Sequence, residues 1–127
     1  MVATNHVAFS SYPGELFSDD DFYMLSESRM VVLQTTNHIF NNSILEILTP
    51  RSAVSWQRVR VANMLAANGS AWADLLAREN SGTYNNQYIV VDLKRFVPHK
   101  VWWLAVHASK IGLLYFIISS TAFYFCA

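Results

Sequence analysis

A chain of 127 residues suffices for one modest domain with its own core. Nine basic residues balance nine acidic ones, which leaves no basic excess for a nucleic-acid partner to displace counterions against. Charged residues make up only 14%, against about 25% in ordinary globular chains, and hydrophobic residues make up 53%, concentrated toward the C-terminus.

In chain order, residues 7–11 read as a short strand closed by the turn signal Tyr12-Pro13-Gly14. Asp19-Asp20-Asp21 precedes a second strand over residues 22–25, and the β-branched run 30–36 forms a third. The link Ser26-Glu27-Ser28-Arg29 makes 22–36 a hairpin, although it lacks a glycine for any left-handed position. Thr49-Pro50 is expected to open a helix, with threonine as cap and proline in the first turn. Val54, Ala62 and Leu65 supply its apolar stripe, and Asn68-Gly69 is expected to end it with a left-handed glycine. Ser70 then caps a second helix running to Arg78, with Trp72, Leu75 and Leu76 on one side. Residues 88–93 form a nearly continuous apolar strand, as in a sheet covered on both faces. Strands, hairpin, two helices and a strand place the fold in the α+β or αββα class.

Beyond Pro98 the character changes. Residues 111–127 carry no charge, and their length is at the lower limit, about 17 residues, for crossing a bilayer. Lys110, Trp102 and Trp103 would suit a membrane interface. Three readings stand for this tail: a segment foreign to the rest, a membrane anchor, or a buried core segment. The chain thus divides into a domain over 1–98 and a hydrophobic tail over 99–127, with membrane association expected through residues 101–127 if the tail is an anchor.

Individual residues narrow the chemistry. Cys126 alone allows no internal disulfide, and His6, His38, His99 and His107 are scattered without zinc-ligand spacing. No metal is expected. Three successive aspartates do not converge on one point and read as a solvated turn. Arg58 and Arg60 are expected to pair with carboxylates or cover apolar surface, and Trp56 and Trp72 to lie in the core. Asn41-Asn42-Ser43 and Asn68-Gly69-Ser70 are glycosylation sequons, with Asn41 and Asn68 as acceptors. A Gly-x-Ser-x-Gly elbow, a His-Glu-x-x-His helix and a phosphate-binding glycine loop are all lacking.

The segment Asn80-Ser81-Gly82-Thr83-Tyr84-Asn85-Asn86-Gln87-Tyr88 is the most distinctive. With Phe9-Ser10-Ser11-Tyr12-Pro13-Gly14, Asp20-Asp21-Phe22-Tyr23 and Trp56-Gln57-Arg58-Val59-Arg60-Val61-Ala62-Asn63, it resembles the phospholipase B-like proteins, a group of N-terminal-nucleophile hydrolases. The resemblance covers roughly residues 6–98. It implies part of the αββα layers of such a hydrolase, a phospholipid or other acyl-lipid substrate, hydrolysis of an ester or amide, no cofactor, and a lysosomal or extracellular setting. It also implies a nucleophilic cysteine that would lie upstream of the residue 7–11 strand. No cysteine stands there, and residues 1–10 do not read as a secretory leader, so the chain is expected to be one piece of the enzyme, inactive without the remainder. By the resemblance, Thr36 is the substrate-pocket residue; read from its place alone, it is a strand-end threonine with a satisfied backbone contact. The amides of residues 80–87 are expected chiefly to fasten a loop to a neighbouring strand, and Gly82 to permit a tight turn. Strands cut from a larger sheet leave open edges, which predicts poor solubility. A second reading is a membrane-attached, non-catalytic interaction protein.

Overall fold

A computed structural model describes residues 1–18, 22–36, 43, 46, 49–82, 86–95, 104–108, 114–118 and 123–126; Thr36 and the last three stretches are described by their backbone course. The strands are β1 (Val7–Phe9), β2 (Phe22–Leu25), β3 (Met30–Thr36), β4 (Asn86–Asp92), β5 (Leu104–Ala108), β6 (Leu114–Ile118) and β7 (Phe123–Cys126). The helices are α1 (Ser55–Leu65) and α2 (Gly69–Ala77), and a 3-10 turn spans Leu93–Arg95. The strands form one sheet in the order β1-β2-β3-β4-β7-β6-β5, every pairing antiparallel. The fold is α+β. Among the described residues there is one sheet and one helical layer, so the further sheet of an αββα arrangement is not among them.

The hairpin forms where the sequence places it, with Phe22 opposite Leu33 and Leu25 opposite Met30. Its link does need a left-handed residue, and Arg29 occupies that position at φ 52°, a backbone conformation that glycine would adopt without strain. Period-two alternation along β2, β3 and β4 then sets the core. Tyr23, Leu25, Met30, Val32, Tyr88 and Val90 are buried on one face against Val59, Ala62 and Ala66 of the α1 region and Trp72 and Leu76 of α2. The Trp72 and Tyr88 rings meet at 5.2 Å, and the indole N–H donates to Asn63 Oδ1 at 2.8 Å. Each such large apolar side chain contributes roughly 1.5–3 kcal/mol by leaving water.

Several expectations give way to local bonding. The first helix starts at Ser55 rather than at Pro50. Thr49–Ser52 instead closes on itself: Ser52 N–H donates to Thr49 O at 2.9 Å, and Thr49 N–H donates to Ser52 Oγ at 3.1 Å. Ala53 is drawn away by a parallel bridge to Asn80 and a 2.7 Å bond from its N–H to Glu79 O. The helix therefore begins after Val54, without a side-chain cap. Asn68-Gly69 does not end α1, which stops at Leu65 with Ala66 as its C-cap. Asn68 caps α2 in place of Ser70, its Oδ1 accepting from Ala71 N–H at 2.9 Å, and Gly69 is the first helical residue. Val54 and Leu65 are exposed, so the buried stripe of α1 is Ser55, Arg58, Val59, Ala62 and Asn63. Trp56 is not a core residue: it is 39% exposed. β4 shows strict alternation, with 86, 88, 90 and 92 buried and 87, 89 and 91 half-buried, rather than equal cover on both faces.

Residues on either side of position 98 share the sheet, because β4 pairs with β7 (Tyr88 opposite Cys126, Val91 opposite Phe123). Among the described residues no helix is long and apolar enough to cross a membrane. The 19–21 aspartates and Asn41 lie outside the described residues.

Candidate functional site

The end of β3 and the start of β4 bring the distinctive residues together. Thr36 stands opposite Asn86, Thr35 opposite Gln87 and Gln34 opposite Tyr88. Asn86 Nδ2 donates to Gln34 Oε1 at 2.7 Å, so this one amide of the motif bonds to the neighbouring strand. Just before it, Asn80 Oδ1 accepts from Gly82 N–H at 2.9 Å and Gly82 adopts φ 70°, the tight turn that glycine permits. Ser81 is buried beside this turn and Gln87 is half-buried within β4. Thr83, Tyr84 and Asn85 lie outside the described residues. Buried Asn86 leaves its Oδ1 without a hydrogen bond among the described residues.

Above this strand junction a cavity of about 280 Å³ separates the sheet from the first turn of α1. Phe17, Val54, Trp56 and Val59 make its apolar walls; Ser55, Tyr88, Gln34 and Asn86 contribute uncharged polar groups, and none of the described lining residues is ionic. Ser55 Oγ and the Tyr88 hydroxyl face each other at 3.4 Å. Sequence reasoning had named Asn86 but not Phe17, Ser55 or the open position of Trp56. The signal available was Trp56 next to the helix start, which becomes a wall only once the helix is known to begin at Ser55.

The other named residues serve structure. Arg58, nearly buried, donates from Nη1 to Leu76 O at 2.5 Å and from Nε to Ala53 O at 3.1 Å, tying α1 to the end of α2. Arg60 is exposed. His6 pairs with Glu27 at the surface. That side-chain contact, joined by the His6 backbone N–H, holds the Glu27 carboxyl down from 4.5 to about 2. Among the described residues no group of His, Cys, Asp or Glu is arranged to hold a metal. Cys126 is in β7, an interior strand bonded to β4 on one side and β6 on the other.

The family model for phospholipase B matches residues 1–117. The chain belongs to this family. Its match runs beyond residue 98 and so takes in part of the apolar tail. Phospholipase B-like 1 of Rattus norvegicus is 56% identical over 98 residues, covering 77% of this chain and 18% of the relative. Phospholipase B-like 1 of Homo sapiens is 56% identical over 115 residues, covering 91% of this chain and 19% of the relative. Phospholipase B of Crotalus adamanteus is 51% identical over 92 residues, 72% of this chain and 16% of the relative. The chain thus spans less than a fifth of the length of these curated phospholipase B relatives.

Proposed function

We propose that this chain is one part of a phospholipase B-type acyl hydrolase, a lipid-degrading enzyme that cleaves an acyl ester or the corresponding amide. The family match over residues 1–117 carries the reading. In N-terminal-nucleophile chemistry a thiolate attacks the acyl carbonyl and the α-amino group of the same residue takes the thiol proton. Hydrogen-bond donors then receive the developing oxyanion. This chain contributes the helix-covered sheet and Thr36, whose position opposite Asn86 sets it at the strand junction. It is not catalytic by itself, because its one cysteine, Cys126, is held within a sheet strand rather than offered at a chain start. Phospholipid is the substrate class, and the setting is lysosomal or extracellular, where Asn41 and Asn68 would carry glycans. Asn68 suits that role: it is exposed, and a glycan on Nδ2 leaves Oδ1 free to cap α2.

Two measurements test this. The purified chain should release no fatty acid from phosphatidylcholine vesicles; release that persists in Cys126→Ala would overturn the non-catalytic assignment. Exchanged for the matching segment of the Crotalus adamanteus relative, the chain should preserve the host's fatty-acid release, and Thr36→Val in that chimera should lower it by about tenfold to a hundredfold. A folded chimera without activity counts against the hydrolase reading, and full activity with Thr36→Val counts against the pocket assignment.

The uncharged stretch 111–127 favours a second reading, a membrane-attached, non-catalytic interaction protein. Full-length chain that resists carbonate extraction, and loses that resistance without residues 101–127, would support it. Complete release by carbonate would dismiss it.

A further inference from the structure

We infer that the cavity between the β3–β4 junction and α1 is a binding site for a single medium-length alkyl chain that ends in an uncharged hydroxyl group. The cavity, about 280 Å³, is roughly twice the 150 Å³ at which an apolar protein cavity admits a benzene molecule. By that scale it holds an alkyl chain of about ten carbons. Its apolar walls suit such a chain: Phe17, Val54, Trp56 and Val59 offer aromatic and branched surface without a charge. A carboxylate or phosphate entering here would lose its hydration and find no cation among the described lining residues, which is strongly unfavourable. A hydroxyl is different. Ser55 Oγ is buried and lines the space, and its contact with the Tyr88 hydroxyl at 3.4 Å is long beside the usual value of about 2.7–2.8 Å. A serine hydroxyl has two acceptor lone pairs and one donor, so Ser55 retains capacity for a ligand hydroxyl after that contact. Alkyl chain and hydroxyl therefore each meet their own chemistry in one cavity.

The inference does not depend on turnover. Its probe, 1-decanol, contains no acyl bond, so the result is separable from that of the hydrolysis assays. Uptake of radiolabelled 1-decanol by the full chain is measured by equilibrium dialysis, beside Val54→Trp, Leu65→Trp and Ser55→Ala. Val54 and Leu65 are both exposed, so neither substitution disturbs the core, but only Val54 lines the cavity. One decanol per chain is expected, lost in Val54→Trp, retained in Leu65→Trp and weakened by about fivefold to tenfold in Ser55→Ala. Equal uptake by the unsubstituted chain and Val54→Trp would overturn the site. Decanoate at pH 8 should bind at least about tenfold more weakly than decanol. Equal affinity for the two, or no loss in Ser55→Ala, would overturn the uncharged hydroxyl class of ligand.

Discussion

The bond from Trp72 Nε1 to Asn63 Oδ1 joins α1 to α2 at the centre of the core, with both residues almost completely buried, and its 2.8 Å length is that of a well-formed hydrogen bond. Asn63→Leu keeps the side-chain volume but strands the indole N–H away from water, which costs about 1–3 kcal/mol. Trp72→Phe strands Asn63 Oδ1 instead and also opens space beside Tyr88, whose ring lies 5.2 Å from the indole. That change should therefore cost more than Asn63→Leu, by a margin below the 3–5 kcal/mol typical of a tryptophan cut to alanine. The double variant strands neither group. Its cost should fall short of the sum of the singles by at least about 1 kcal/mol, because each single includes an orphan penalty that the double lacks. Urea unfolding followed by far-UV circular dichroism reads all four proteins, since removing Trp72 would disturb a fluorescence signal. Additivity within about 0.3–0.5 kcal/mol would refute the assignment of this bond as a core tie.

Other expected outcomes follow from single contacts. Glu27 has a folded-state pKa of about 2, below its ordinary 4.5, so the unfolded chain binds more protons in that range and stability rises with pH. The contribution is complete above about 4.5 and is lost as pH falls toward about 2; the Tm difference between the unsubstituted chain and Glu27→Gln should narrow over that interval and shrink with added salt. A difference that stays constant from pH 6 to pH 2.5 would exclude the His6 contact as its cause. Arg29→Gly should leave stability unchanged or raise it by up to about 1 kcal/mol, whereas Arg29→Val should lower it, because only glycine adopts φ 52° freely; a destabilised glycine variant in urea titration would contradict this. Asn68→Ala should cost about 1 kcal/mol through the lost Ala71 cap, while Ser70→Ala, which leaves that cap in place, should cost less in the same titration.

Where the sequence was legible, one physical rule acted alone; where it was not, two rules competed for the same residues. The β2 and β3 bounds were readable because residues 22–25 are apolar and aromatic, residues 30–36 are apolar and β-branched, and no side chain there has a stronger local option. Thr49-Pro50 carries a genuine helix-start signal, yet Ser52 offers both a hydroxyl and an N–H to Thr49, and Ala53 finds a partner at Glu79, 26 residues later. A long-range backbone bond of this kind leaves no trace in local spacing. It displaces the helix start to Ser55, and that displacement in turn turns Trp56 outward and creates the cavity wall. The start of β4 shows the same logic in reverse. Its polar first residues, Asn86 and Gln87, do not read as strand, but Asn86 is held in the sheet by Gln34 across β3. The candidate site was therefore legible as a motif and illegible as a place: the residues that name the family were visible in order, whereas the cavity depends on a pairing between positions 34 and 86 and on a helix whose first turn is set from position 79.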